Sequence, residues 1–453
     1  MRYGYLSVLL ILLALTTQPT IAQPSAPSYL PEPLSLKAQA ELRDHWLELR
    51  LERLVPSLMQ EHKINLWLII ASEYNEDPVI RTMLPATWMA ARRTTILVFA
   101  YNQKTQRIDR LAISRYDVGR FFKSAWNPDV EPDQFKRLAE LIQEYAPERI
   151  GINTSTDFSH ANGLTHTEYL QLVQALDPAY RSRLVSAEPL AVNWLETRIK
   201  EEMEAYPYIN RIAHHIIEEG LSEKVILPGV TKTSDLQWWY RERIHSLGLT
   251  AWFHPSVDVQ RDDRTDGALG SFAKPADESI ILPGDLIHID FGITYLGLNT
   301  DTQRNAYVLK PGEREAPQGL QEALRQGNRL QDILTDHFKI GRTGNEILRM
   351  SLEQAKKEGL KPSIYTHPIG YHGHAAGPTI GMWDKQNGVP GDGDYKLRAQ
   401  TAYAIELNVT VNIPEWNNKP IRMMLEENAL FDGKKVYYTD GRKTALILIP
   451  RQP

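Results

Sequence analysis

The 453-residue sequence contains no cysteine. That absence excludes thiol nucleophiles, disulfide frameworks, thiolate zinc sites and iron–sulfur clusters, and leaves His, Asp and Glu to hold any metal. A basic block is missing too: 51 Lys and Arg stand against 56 Asp and Glu, for a net charge of −5. Nothing therefore points to nucleic-acid binding through phosphate contacts. Nor is the composition that of a disordered chain, since 42% of residues are hydrophobic and 24% charged, an ordinary globular balance. No internal repeat stands out. At about 150 residues per domain, the length suggests two or three domains.

Long apolar runs are absent except for one, Leu6 to Leu15, which follows Arg2 and precedes small and polar residues up to Ala22. A charged start, a short apolar core and a small-residue exit predict a secretory signal peptide over residues 1–22. The run is much shorter than the roughly 20 helical residues that span a bilayer, although an uncleaved anchor is the alternative. With no cysteine after it, a lipoprotein anchor is excluded. The expected location is periplasmic or secreted, with no stable membrane insertion after cleavage. Residues 23–35, rich in Pro and Ser, read as a flexible lead-in.

From 36 to 195 helical and strand patterns alternate. Ala38 to Gln60 has helical periodicity, 64–70 and 94–101 read as buried strands, and a helix near Pro132 precedes a short strand at 148–153. This predicts a compact α/β domain. His160 and His166 lie in polar, loop-like sequence and read as surface residues. The segment 188–220 marks a boundary, with Ile199, Met203, Tyr206, Ile212, Ile216 and Ile217 on one helical face and Gly220 as its stop. Pro207 should kink or restart this helix. His214 and His215 are adjacent, so on a helix they point about 100° apart and do not converge on one ligand. Beyond 196 a second domain to 453 is expected: a helix over 233–247, strands near 280–292, 401–409, 423–431 and 446–449, and a Thr343/Glu346 capping box opening a helix to Lys357.

Four segments put acids or histidines among apolar residues or glycines. Asp290 ends the strand-like LIHI, and GITYLGLN between it and Asp301 reads as a hairpin that folds one aspartate back beside the other. Burying a carboxylate there is costly unless a cation or hydrogen bonds compensate. THPIGYHGHAAGPTIG carries His367, His372 and His374 with four glycines, and neutral imidazole is a common transition-metal ligand. Glu406 lies inside TAYAIELNV, and Glu426 and Glu427 inside MMLEENALF. Glutamates in buried strands are rare. Together with Asp290 they ask for shared positive charge, which two divalent cations bridged by carboxylates would supply. An oxygen-rich set with one histidine suits Mn²⁺, Co²⁺ or Fe²⁺, with Zn²⁺ an option.

The ordered series Asp290, Asp301, His367, Glu406, Glu426 resembles the metal-binding set of the pita-bread metallopeptidases: aminopeptidase P, prolidase, methionine aminopeptidase and their creatinase relatives. T-D-T-Q-R around Asp301 resembles the family's S-D-x-T-R, H-P-I-G-x-x-x-H its H-G-x-G-x-x-x-H, A-I-E-L its T-I-E-P, and L-E-E-N its I-E-D-T. The resemblance covers about residues 36–450. It implies a creatinase-like α/β N-terminal domain followed by an α+β pita-bread catalytic domain. It also implies two divalent cations, best Mn²⁺, held by the five residues, and a dimer or larger homo-oligomer. His374 falls on the family's second histidine, which contacts substrate.

The implied activity is that of an exopeptidase in which a hydroxide bridging the cations attacks a peptide carbonyl. In that scheme Glu406 serves as ligand and general base, and His374 donates to the oxyanion. The long N-terminal domain is similar to those of aminopeptidase P and prolidase, so an Xaa-Pro bond is the implied substrate. A creatinase-like hydrolase and a peptide-binding pseudoenzyme on the same fold are the alternatives. Three departures stand out. Phe272 or Ala273 lies where the family places a histidine, with His254 and His288 as substitutes; His288 also reads as structural, since alternation shows only a direction shared with Asp290. Leu407 replaces a proline after the glutamate, and Arg422 lies four rather than two before Glu426. Trp88, Arg92 and Arg93 read equally as a surface facing the active site and as packing with solvated charge.

Overall fold

The computed structural model describes residues 32–262 and 278–451. The expected signal peptide, most of the lead-in, and Phe272 and Ala273 lie outside the described residues. Among the described residues no helix is long and apolar enough to cross a membrane.

The first helix among the described residues spans Leu36–Glu61, and its N-terminus is capped by the Ser35 side chain. Six strands follow: β1 (Leu66–Ser72), β2 (Thr94–Asn102), β3 (Arg107–Ile113), β4 (Lys123–Ser124), β5 (Ile150–Ile152) and β6 (Leu184–Ser186). They form one mixed sheet in the order β4-β3-β2-β1-β5-β6. The central pair, LWLIIAS and TTILVFAYN, is buried over most of its length, as their continuous apolar runs require. The expected helix after Pro132 runs over Gln134–Tyr145 and is capped by Asp133.

The boundary segment departs from expectation in two ways. It forms two helices, Glu188–Glu196 and Lys200–Gly220, so Ile199 caps the second helix instead of lying within it. The second helix runs through Pro207 as one element, so the expected restart does not occur. Buried Tyr206, Ile209, Ile212 and Ile216 hold the turns on either side of the proline against the core, which outweighs the one hydrogen bond that proline removes. Gly220 does close the helix, and a Cβ there would lie 2.4 Å from the Tyr240 ring. Arg50, from the first helix, fastens the two halves of the chain together: it is fully buried, donates to the Thr197 carbonyl at 2.7 Å and pairs with Glu202 at 2.8 Å.

The second half carries β7 (Ser256–Gln260), β8 (Leu286–Phe291), β9 (Thr294–Tyr295), β10 (Leu298–Asn299), β11 (Thr302–Val308), β12 (Pro362–Ile364), β13 (His367–Pro368), β14 (Thr401–Ile413), β15 (Lys419–Phe431), β16 (Val436–Tyr438) and β17 (Ile447–Ile449). The main sheet runs β12-β14-β15-β11-β8-β7, with β13 on β14, β16 on β15 and β17 on β11. Strand alternation gives it two unlike faces. Ile287, Ile289 and Phe291 join the core that includes Ile209, Ile216 and Tyr240. Ile405, Leu407, Met423 and Leu425 pack with Leu320, Ile333 and Leu352 of the helices Gln318–Asp336 and Gly344–Lys357. The intervening residues, His288, Asp290, Glu406, Met424 and Glu426, take the opposite face.

Candidate metal centre and active site

The register of four neighbouring strands lines up the acids. Asp290 on β8 faces Gln303 on β11, Gln303 faces Glu426 on β15, and Glu426 faces Glu406 on β14. Between β8 and β11 the β9–β10 hairpin turns at Leu296 and Gly297, both with positive φ. It returns the chain so that Asp301 lies beside Asp290, as the GITYLGLN pattern predicts. The Asp301 backbone N–H donates to Asn428 Oδ1 at 3.0 Å. His367 reaches the same place from β13: its Nε2 lies 3.7 Å from Asp301 Oδ2 and 3.6 Å from Glu426 Oε1.

All five residues therefore converge. Three sets of ligand atoms each lie within 4.8 Å of one another: Asp290/Asp301/Glu426, His367/Glu406/Glu426 and Asp301/His367/His374. The electrostatics are those of a crowd of acids. Burial pushes the Asp290 carboxyl up to about 7, and burial with the charge of Asp290 pushes Glu406 up to about 8. Asp301 and Glu426 are raised well above the ordinary carboxylate range by burial and then by their acidic neighbours. Among the described residues no Lys or Arg pairs with any of the four.

The donor set fits a cation. Asp290 Oδ1, Asp301 Oδ1, Glu426 Oε1 and His367 Nε2 are buried with no hydrogen-bond partner among the described residues. His367 Nδ1 lies 2.9 Å from the Pro368 carbonyl; since a carbonyl only accepts, Nδ1 carries the proton and the Nε2 lone pair points at the acids. Burial and the adjacent His374 push His367 down to about 3, so it is neutral. Charged carboxylates with no counter-charge would be costly here, and a divalent cation removes that cost.

The acids line a cleft of about 200 Å³ together with Tyr365, Met424 and His374. His374 is solvent-exposed, with its ring perpendicular to that of His367 at 4.7 Å and packed edge-on against Trp252 at 5.4 Å. Trp252 is itself held by a 2.8 Å hydrogen bond to the Thr300 carbonyl. Beyond His374 a larger cleft of about 550 Å³ opens towards the N-terminal half, lined by Arg43, Arg81 and His372.

His160, expected at the surface, is half-buried instead, its ring 4.6 Å from that of His372 at a 50° tilt, and hydrogen-bonds to the His374 backbone. His254 stands outside the cleft beside Trp238 and Arg241. His288 is buried and hydrogen-bonds to Gln303 at 3.0 Å. Leu407 sits in register between Ile364 and Leu425, and Arg422 lies on the Glu426 face four pairs along the strand. Arg92 stacks on Trp88 at 4.3 Å, and neither residue lines the cleft. Gln303 and Tyr365 are site residues that sequence reading missed.

Glu427 and His214 are occupied on the other face of the sheet. Arg304 donates to Glu427 at 2.9 and 3.0 Å and to His214 Nε2 at 2.7 Å, while His214 Nδ1 donates to Asp440 at 2.9 Å. Burial and Arg304 push the His214 pKa down, keeping it neutral. Glu427→Gln should therefore lower stability by about 3–5 kcal/mol, the cost of breaking a buried pair, yet leave cation content unchanged. Denaturant unfolding and metal analysis of the variant check both halves.

Comparisons with known proteins agree with this geometry. Residues 206–433, half of the chain, match the profile of metallopeptidase family M24. No curated protein matches the chain. Among solved structures it is similar to an X-Pro aminopeptidase from Thermotoga maritima (TM-score 0.61, 15% identity, covering 86% of this chain and 99% of that one). A Xaa-Pro dipeptidase from Bacillus anthracis gives 0.58 at 17% identity, covering 91% and 100%. A prolidase from Pyrococcus furiosus gives 0.53 at 14%, covering 85% and 99%.

Proposed function

Since this chain belongs to metallopeptidase family M24, with a pita-bread catalytic domain behind an N-terminal domain, we propose that it is a dinuclear exopeptidase that hydrolyses Xaa-Pro bonds at peptide N-termini. The observation that carries the reading is the pair of ligand sets Asp290/Asp301/Glu426 and His367/Glu406/Glu426, which share Glu426. The residues of the two sets would hold two cations, which would neutralise the four acids. The oxygen-rich donors favour Mn²⁺, then Co²⁺ or Fe²⁺, with Zn²⁺ least. When bound, such ions supply Lewis-acid polarisation of a carbonyl and a water of lowered pKa.

The protein's own groups do the rest. Glu406 takes the nucleophile's proton. His374, oriented by Trp252 and by His160 behind its backbone, donates to the oxyanion that develops on the scissile carbonyl. The acids also offer an anchor for a free α-amine, which favours cutting at the N-terminus. The Xaa-Pro preference is supported by the X-Pro aminopeptidase, Xaa-Pro dipeptidase and prolidase that share the fold. Export is part of the proposal on the strength of residues 1–22, and N-terminal sequencing of the mature protein tests it.

The function is tested by loading purified protein with Mn²⁺ and following the first residue released from Xaa-Pro and Xaa-Ala peptides. About two ions per chain with release from the Xaa-Pro peptide is the expected result; no release from either peptide overturns the reading. His374→Ala should retain its cations and lose about 10²–10³-fold in kcat, as removal of one oxyanion donor does.

A further inference from the structure

One residue in the acidic row is not an acid. Gln303 lies on β11 between Asp290 on one neighbouring strand and Glu426 on the other, and it is buried. Its Nε2 donates to Glu406 Oε1 at 2.7 Å. Its Oε1 lies 3.0 Å from His288 Nε2. Glu406 is on β14, two strands away across β15, a gap of about 9.6 Å at the usual strand spacing. A side chain as short as threonine, which stands at this position in the family motif quoted above, does not reach across that gap.

The chemistry of the amide fixes its orientation. Against the ionised Glu406 that a bound cation requires, an Oε1 turned towards it would set acceptor against acceptor, so the NH₂ group must face the carboxylate. The carbonyl then needs a donor, and the one beside it is His288 with its proton on Nε2. His288 Nδ1 is buried with no hydrogen-bond partner among the described residues, so it leaves that tautomer unopposed. From this geometry we infer that Gln303, locked by His288, is a positioning residue for Glu406. It commits Oε1 of that carboxylate and leaves the second oxygen alone for cation and substrate. The role assigned to Glu406 in the proposed function underlies this inference, and the two fail separately in the experiment below.

The test titrates Mn²⁺ into cation-free wild type, Gln303→Met, His288→Phe and the double variant by calorimetry. Turnover of an Xaa-Pro peptide is followed in parallel, and thermal unfolding reports on the fold. Gln303→Met keeps length and loses the donor, so cation affinity should weaken roughly 10–100-fold, as removal of a group that orients a ligand does. His288→Phe acts only through Gln303, so the double variant should be no worse than Gln303→Met alone. Wild-type Mn²⁺ affinity and turnover in Gln303→Met overturn the inference, and independent multiplying losses overturn the lock by His288. If Gln303→Met does not fold, Gln303→Asn, with the same amide on a shorter stem, should show the same weakening, and wild-type affinity there is equally fatal. If wild type binds Mn²⁺ but releases nothing from Xaa-Pro peptides, the peptidase reading falls while the titrations still decide the role of Gln303.

Discussion

Asp301→Asn is expected to strip a cation from the centre and abolish peptide hydrolysis, while making the cation-free protein more stable than wild type. Asp301 belongs to two of the three ligand sets, with Asp290 and Glu426 and with His367 and His374. Removing its charge leaves only His367/Glu406/Glu426 complete. Turnover should fall a thousandfold or more, about 4 kcal/mol of barrier. Stability moves the other way because this carboxyl is raised well above its ordinary range by burial, Asp290 and Glu406. An acid in that state destabilises the native fold at any pH above its unfolded value. Asparagine keeps the shape without the charge, so at pH 7.5 the cation-free variant should gain about 1 kcal/mol or more, the worth of one pKa unit. Metal analysis, Xaa-Pro turnover and unfolding in EDTA read the three effects. A variant that turns over normally removes Asp301 from the site, and one that is destabilised in EDTA shows that its charge is compensated by another route.

What the sequence made legible follows a physical pattern. Asp290, Glu406 and Glu426 were readable because each breaks an apolar strand, where a charge is costly enough to need a reason. Asp301 was readable through the turn-forming GITYLGLN, which forms the β9–β10 hairpin. The choice between Glu426 and Glu427 was open in sequence, since both lie in the same apolar run. The register favours Glu426, which it pairs with Glu406, while it turns Glu427 to Arg304.

Other features left no local mark. Gln303 is an uncharged residue between Thr302 and Arg304, and its importance comes from reaching across β15 to Glu406. His160 matters through a contact with a loop more than 200 positions away, which no periodicity encodes. The strand β3, RIDRLAI, hides because three of its seven residues are charged, and its half-exposed burial tolerates them. Pro207 shows the opposite case: the helix does not restart there, because an apolar face packs on both sides of it.

Removing the cations should cost the protein more stability as pH rises from 6.5 to 8. Two sets of groups act on the cation-free fold with opposite signs. The histidines His367, His288 and His214 are pushed down by burial. Below the ordinary histidine range the unfolded chain binds protons that the native state refuses, so these groups make stability rise with pH up to about 6.5. The acids do the reverse. Asp290 at about 7, Glu406 at about 8, and the still higher Asp301 and Glu426 keep protons that the unfolded chain has already released. Their contribution is present at low pH and is lost as pH rises through the folded values. Between the ordinary carboxylate range and pH 6.5 the two sets offset one another; above 6.5 the histidines are neutral in both states and raised acids set the slope, Glu196, pushed up to about 8 by burial outside the site, contributing alike with and without cations. Bound cations displace those protons and supply the counter-charge, so their affinity rises with pH as the slope of the bare fold falls. At a thousandfold excess over Kd, binding is worth about 4 kcal/mol, roughly 10 °C in Tm for a domain of this size. Thermal melts in EDTA and in Mn²⁺ at pH 6.5, 7.2 and 8 should therefore diverge. Parallel curves would mean that the four acids are ionised in the bare fold and compensated without metal, which removes the physical reason for placing cations among them.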